Sequence, residues 1–226
     1  WFSVTDVKGA FWACPLAEES RDLFAFKWED LETGGKQQLR WTKLPQGFTE
    51  SPNLFGQALE EILQQFQAPP GIQVLQYVDD LLVSGSTEEA VRAASIELLG
   101  FLGQKGLRVS KKKLQFVQTE VKYLGHLVSE GKRKISPDRI MGVVSLPLPK
   151  TEREMRQLLG LLGYCRLWIE GYTQAVRFLY EKLLEEVPLC WVESEKKQLE
   201  ELKNKLITAP VLELPSSHKP FYLFVN

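Results

Sequence analysis

Long apolar runs are missing from this 226-residue chain. The longest, LLGLLGYC at residues 158–165, is ended by Arg166 and is too short to cross a bilayer as a helix. No basic-then-apolar leader opens the sequence, so no secretory signal and no membrane partner are expected. Cysteine is scarce: Cys14, Cys165 and Cys190 are odd in number and far apart. Without a CxxC pair they indicate neither a disulfide framework nor a zinc site. A reducing, intracellular setting is the resulting expectation. Internal repeats and low-complexity segments are absent too. Net charge is -1, so composition as a whole names no polyanionic partner. What remains is ordinary: 44% apolar and 25% charged residues are typical of a globular protein. The length allows one large domain or two small ones.

Charge is unevenly spread. Residues 1–104 hold 7 basic and 15 acidic side chains, net -8, whereas 105–139 hold 10 basic and 3 acidic, net +7. The basic belt includes Lys105, Arg108, Lys111, Lys112, Lys113, Lys122, Lys132, Arg133, Lys134 and Arg139. Such a belt can follow a phosphate backbone by releasing counterions; a solvated lysine face is the plainer reading.

Local patterns indicate mixed α+β structure first and helices second. FSVTDV from Phe2 reads as a strand, with Asp6 on the face of Phe2 and Val4. LFAFKW from Leu23 and QLRWT from Gln38 read as a hairpin around the turn-rich LETGGK. A helix is expected from Ser51, with Leu54, Ala58, Ile62 and Phe66 at helical spacing, and Pro69, Pro70 and Gly71 stop it. Ile72–Gln76 and Leu81–Ser84 read as strands around a tight turn. Ser86 or Thr87 caps the next helix, which runs to about Gln104. YLGHLV from Tyr123 reads as one short strand containing a glycine. Helical patterns follow from Ser136, from Thr151 (with Leu158, Leu161, Leu162 and Cys165 on one face) and over Glu195–Ile207. FYLFV from Phe221 reads as a strand.

The stretch LQYVDDLLV, residues 75–83, places Asp79 and Asp80 in a mostly apolar run. Burying two carboxylates together is costly. A tight turn can aim both at one rim, and Asp6 joins them if the two strands pair. Like charges that close need a cation, and an all-oxygen set suits Mg²⁺, which leaves sites for water and phosphate. Two such ions can serve an in-line phosphoryl displacement. An ordinary polar hairpin turn accounts for the dipeptide equally well.

The flanks add to this. WTKLPQGFTESPNLF from Trp41, LQYVDDLL from Leu75, KYLG from Lys122 and LLGLLGYCRLWI from Leu158 occur in this order. Tyr-x-Asp-Asp between strands, with a strand Asp upstream and Leu-Pro-Gln-Gly between, resembles the retroviral reverse transcriptases, most of all those of gammaretroviruses and endogenous retroviruses. The likeness extends over nearly the whole chain.

The resemblance implies a right-hand polymerase palm, an antiparallel sheet with helices, over 1–131, with an interleaved fingers hairpin at about 14–50. A helical thumb over 132–208 and the first strand of a connection region over 209–226 follow. It implies RNA-directed DNA polymerase activity, that is, two-metal nucleotidyl transfer from dNTP to a primer 3′-hydroxyl on an RNA or DNA template. Asp6, Asp79 and Asp80 match the catalytic, metal-binding acids, and the Val7 carbonyl also reaches a metal. Two Mg²⁺ ions are the implied cofactor; Mn²⁺ fits an all-oxygen site as well. Val7, Ala10, Phe11 and Gln46 match nucleotide contacts, with the Phe11 ring as a steric gate against a 2′-hydroxyl. Read alone, Phe11 is a core residue and Gln46 a turn residue. Tyr77, Val78, Leu124, Gly125 and His126 fall where the family holds primer and template; read alone, Gly125 is a bulge and His126 a structural histidine. Tyr164 and Trp168 read as thumb core. The rest of a Pol polyprotein, comprising fingers, connection and RNase H, is the expected covalent partner, with a cytoplasmic or virus-core location.

Three departures stand against the family pattern. Only five residues precede Asp6, where the family has a long fingers region. Gly9 stands where the family usually carries an acid. The sequence ends at Asn226, where the connection begins. A catalytically inactive endogenous fragment that binds nucleic acid at most is therefore the alternative expectation.

Overall fold

The computed structural model describes residues 1–185, 189–215 and 218–223. The chain divides into two compact units, Trp1–Val121 and a second beginning at Lys122. The fold class is α+β, and each of its sheets contains antiparallel strand pairs. Among the described residues no helix is long and apolar enough to cross a membrane.

The first unit is organised by β1 (Phe2–Asp6), which begins the chain and lies inside its sheet. A short helix α1 (Ala10–Ala13) follows, then a 3-10 turn at Glu18–Phe24. The ribbon β2 (Ala25–Glu29) and β3 (Lys36–Arg40) comes next. Helix α2 (Ser51–Leu63) has Pro52 in its first turn, where a missing N–H costs nothing. The Ser51 hydroxyl donates to the Pro45 carbonyl at 2.7 Å and fixes its start. After β4 (Gln73–Tyr77) and β5 (Asp80–Ser84) comes α3 (Glu88–Gln104), capped by Thr87 Oγ1, which accepts from the Ala90 N–H. β6 (Gln115–Gln118) completes a four-stranded sheet in the order β4-β5-β1-β6.

Leu81 and Val83 of β5 join Phe55 and Leu59 of α2 and Val91, Ala94, Leu98 and Leu102 of α3 in one buried cluster. Strand alternation puts Leu82 and its cross-strand partner Val4 on the opposite face, and both are also buried. So β5 is a central strand covered on both sides, and its run of apolar residues follows from that. The face of α2 differs from expectation. Phe55 and Leu59 are buried, whereas Leu54 is 44% exposed. The sheet lies one residue further round the helix than the Leu54–Ala58 row.

The β2–β3 ribbon is exposed at every position. Its register pairs Phe26 with Leu39 and Trp28 with Gln37, which gives the ribbon one aromatic face. Trp41 continues that face, with its ring 6.1 Å from Phe26.

In the second sheet, β7 (Glu120–Tyr123), β8 (His126–Ser129), β9 (Lys132–Ile135) and β10 (Leu212–Glu213) stand in the order β10-β9-β8-β7. The single strand expected at YLGHLV is two strands. Leu124 and Gly125 both have positive φ, 48° and 77°, and make the two-residue turn between β7 and β8. Helices α4 (Pro137–Val144), α5 (Glu152–Tyr164), α6 (Tyr172–Lys182) and α7 (Glu193–Ile207) supply most of the second core. Thr151 and Glu154 form a reciprocal capping box at the start of α5. Helix α6 is absent from the sequence reading, although Val176 and Leu179 stand at helical spacing on its buried face; the buried Lys182 continues that face with a charge. Phe221–Leu223 form no strand, and 224–225 of the expected FYLFV strand lie outside the described residues.

Lys182 closes the second core. It is 2% exposed, and its ammonium donates to Glu185 and Glu195, each at 2.9 Å, and to the Cys190 carbonyl at 2.6 Å. Its partners are less buried, with Glu185 47% and Glu195 18% exposed. The cost of losing the ammonium therefore comes mainly from Glu195 and the Cys190 carbonyl, and lies at the low end for a buried pair. Lys182→Met is expected to lower unfolding stability by about 3 kcal/mol, measured by urea titration.

Candidate active site

The β1–β5 register sets Asp6 directly opposite Asp80. Cross-strand partners share a face, so both carboxylates lie on the side of Val4 and Leu82, away from α2 and α3. Asp79 precedes them in the two-residue turn Val78–Asp79, closed by the Tyr77–Asp80 pair. Val78 has φ 53°, a region that a β-branched side chain disfavours, so the turn stores strain of roughly 1–3 kcal/mol. The Val7 N–H donates to the Asp79 carbonyl at 3.0 Å and ties the turn to the end of β1.

A second connection arrives from the chain between α3 and β6. Val7 bridges to Val109, and the Lys8 N–H donates to the Arg108 carbonyl at 2.7 Å. This places Lys113, whose ammonium donates to Asp6 Oδ2 at 2.8 Å. Asp6 Oδ1 is buried and has no hydrogen-bond partner. Burial holds the Asp80 carboxyl above its usual range, and the charges of Asp79 and Asp6 push it the same way while Lys113 opposes them. The Lys113 ammonium is held above its usual range by its bond to Asp6 and the surrounding carboxylates.

Among the described residues no three His, Cys, Asp or Glu side chains stand in a metal-holding group. The acids therefore share a rim without forming a closed cage. A hard cation fits this rim nonetheless. The donors are all oxygen, one is an orphaned buried carboxylate oxygen, and Mg²⁺ takes only one or two protein carboxylates in most sites.

A cavity of about 350 Å³ opens beside these groups. It brings together Asp6, Val7, Ala10, Phe11, Gln46 and Asp79 from the sequence reading, and adds Lys8, Gly9, Trp12, Ser110 and Lys113. The Phe11 ring meets Phe55 edge-on at 6.1 Å, which fixes it in the wall. Gly9 has φ 64° and ψ 36° and caps α1 in the left-handed region, a conformation glycine adopts without cost. Lys113 belongs to the basic belt in the sequence, but its link to an acid 107 residues away carries no local signal.

Tyr77 and Val78 do not line that cavity. They line a separate groove between α2 and β4, with Gly56 and Gln76, and Tyr77 is 58% exposed.

Leu124, Gly125 and His126 belong to the second unit. The Tyr164 hydroxyl donates to the Leu124 carbonyl and lies 3.1 Å from His126 Nδ1. With its proton committed to Leu124, the hydroxyl accepts from Nδ1, which assigns the Nδ1–H tautomer. The His126 ring is stacked between Tyr164 and Trp168, 5.2 Å from each, with Arg139 over Tyr164 and Arg133 over Trp168. Burial, then Arg133 and Arg139, holds the imidazole below its usual pKa. A Cβ on Gly125 would stand 2.9 Å from the Tyr164 hydroxyl, so the turn requires glycine for space as well as for φ.

Comparison with known proteins identifies the lineage. Residues 1–128 match the family described as reverse transcriptase (RNA-dependent DNA polymerase). The chain is 47% identical over 227 residues to the Pol polyprotein of Feline endogenous virus ECE1 and 46% identical to the Gag-Pol polyprotein of Baboon endogenous virus (strain M7). All of this chain is covered, but it spans only 22% and 13% of those polyproteins. Among solved structures, the foamy viral protease-reverse transcriptase in complex with an RNA/DNA hybrid is similar over 94% of this chain and 28% of that one, at TM-score 0.81 and 30% identity. The same viral protein in complex with dsDNA is similar over 97% of this chain and 44% of that one, at TM-score 0.80. The family match over residues 1–128, more than half of the chain, with relatives aligned along all of it, shows that this chain belongs to the reverse transcriptase family.

Proposed function

We propose that the chain carries the nucleotidyl-transfer site of a retroviral Pol protein, an RNA-directed DNA polymerase acting on a primed RNA or DNA template. The observation that carries this reading is the Asp6–Asp80 cross-strand pair with Asp79 in the adjoining turn, Asp6 and Asp79 lining a cavity walled by Phe11 and Gln46. On this reading the palm covers residues 1–131, which takes in the first unit and the start of the second, with the fingers hairpin at about 14–50. The helices of the second unit are the thumb, and a connection region starts near residue 209. The nucleic-acid complexes of the foamy viral protein support a template–primer partner. The relatives' length supports a larger Pol protein as the working context.

Asp6, Asp79, Asp80 and the Val7 carbonyl would hold two divalent ions, Mg²⁺ or Mn²⁺. Bound there, the ions supply a lowered pKa for the primer 3′-hydroxyl and charge neutralisation for the triphosphate. The chain's own groups do the remaining work. The raised Asp80 pKa and the orphaned Asp6 oxygen make the rim receptive to a cation. Lys113 offsets the clustered negative charge at the same edge. Ala10, Phe11 and Gln46 line the space for the nucleotide, and the Phe11 ring, braced by Phe55, occupies the volume a 2′-hydroxyl needs. Leu124, Gly125 and His126, at the turn between β7 and β8, would contact the primer or template, and so would Tyr77 and Val78 of the first unit.

Primer extension on an RNA template with Mg²⁺ tests the reading. Asp79→Asn is expected to abolish extension by the chain or by the Pol protein that contains it; undiminished extension in that variant refutes the assignment. Retained duplex binding with no extension by the wild-type Pol protein would point to the inactive-fragment alternative.

Phe11→Val is expected to admit ribonucleotides. The ratio of kcat/KM for dNTP over rNTP should fall roughly 10- to 100-fold, because the pocket loses a steric exclusion while keeping its other contacts. Single-nucleotide incorporation kinetics read this directly.

A further inference from the structure

The strained turn that carries Asp79 needs a restraint, and β4 provides one. Gln76 Nε2 donates to the Gly56 carbonyl of α2 at 2.9 Å and to the Val78 carbonyl at 3.1 Å. Both partners are acceptors, so the carboxamide must present its NH₂ group to them, and both of its N–H bonds are used. One end of this bracket rests on a helix whose Phe55 and Leu59 lie in the buried core. The other end holds the residue whose φ of 53° the chain would otherwise relax. The next residue, Asp79, is anchored from the other side by the Val7 N–H at 3.0 Å. Helix α2, Gln76, the turn and the end of β1 thus form one continuous series of hydrogen bonds.

We propose that Gln76 is a positioning residue of the metal site. Its carboxamide fixes the Val78–Asp79 turn to α2, and so sets where the Asp79 and Asp80 carboxylates stand relative to Asp6. The inference rests on the proposed metal-dependent function. A site of this kind works only when its supporting shell holds the ligands to a fraction of an ångström. Gln76 touches neither substrate nor ion on this account. It acts through the backbone of Val78.

The test uses the full chain and four readouts. In the wild type, NMR should show the Gln76 side-chain amide protons protected from exchange, with couplings to the Gly56 and Val78 carbonyls. Free exchange of those protons overturns the proposal without any variant. Mn²⁺ titration followed by EPR then compares wild type, Gln76→Met, Gln76→Glu and Asp79→Asn. Gln76→Met keeps the length and removes both donors; Gln76→Glu keeps the shape and removes both. Each is expected to weaken Mn²⁺ binding roughly 10- to 100-fold, as loss of a supporting contact commonly does. Hydrogen exchange at the Val7 amide should accelerate in both, because it reports the position of the Asp79 carbonyl. The thermal midpoint should move by only about 3–5 °C, so that lost binding is not lost fold. Wild-type Mn²⁺ affinity and Val7 protection in both variants would overturn the role of Gln76. Unchanged Mn²⁺ binding in Asp79→Asn would instead overturn the metal site itself, while Val7 exchange would still report whether Gln76 holds the turn.

Discussion

Like charges on neighbouring strands repel, and this protein sets two of them in direct register. The Asp6–Asp80 pairing determines much of what surrounds it. β5 must be central and buried to hold Asp80 firmly, which explains the Leu81–Val83 run beneath it. β1 must be flanked on both edges, by β5 and β6, so that Asp6 cannot swing away. The chain after α3 folds back against Val7 and Lys8 to bring one ammonium to the acids. The strands hold the two carboxylates in place, burial adds to the cost of their charge, and only the Lys113 ammonium among these features offsets it.

The two candidate turns solve similar problems by different means. Val78–Asp79 lies in a tight hairpin without glycine, and its backbone is held by amide donors from Gln76 and Val7. Leu124–Gly125 uses a glycine, and an aromatic hydroxyl grips its carbonyl while rings and guanidinium groups stack around His126. The first turn is restrained by strand and helix backbone, the second by side chains packed in layers.

Local chemistry made much of this legible in the sequence. The alternation around Asp6, the turn at Asp79 and the caps at Thr87 and Thr151 all depend on residues within a few positions of one another, whereas Asp80, expected in that turn, opens β5. The order of several separated motifs carried the family, which the relatives bear out. What stayed hidden depends on distance in the chain. The bond from Lys113 to Asp6 spans 107 residues, and the grip of Tyr164 on Leu124 spans 40. The split of YLGHLV into two strands was hidden for another reason: Leu124 adopts positive φ, which no propensity scale assigns to leucine. Helix α2 shows a smaller error of the same kind, since periodicity gives a helix but not which of two adjacent rows meets the sheet.

The β2–β3 ribbon bears on how loss of structure in this protein can be followed. Its two strands are exposed along their whole length, and an isolated hairpin is marginal in water. With so little of it buried, the ribbon is expected to open more easily than the β4-β5-β1-β6 sheet, although Arg40 ties it to Glu18 and Asp22. Trp28 and Trp41, 54% and 37% exposed, sit on that ribbon. Their fluorescence would register the ribbon opening while Asp6 and Asp80 remained in register. A change at these two tryptophans therefore reports the ribbon, and the integrity of the carboxylate rim has to be read from the amides of β1 and β5.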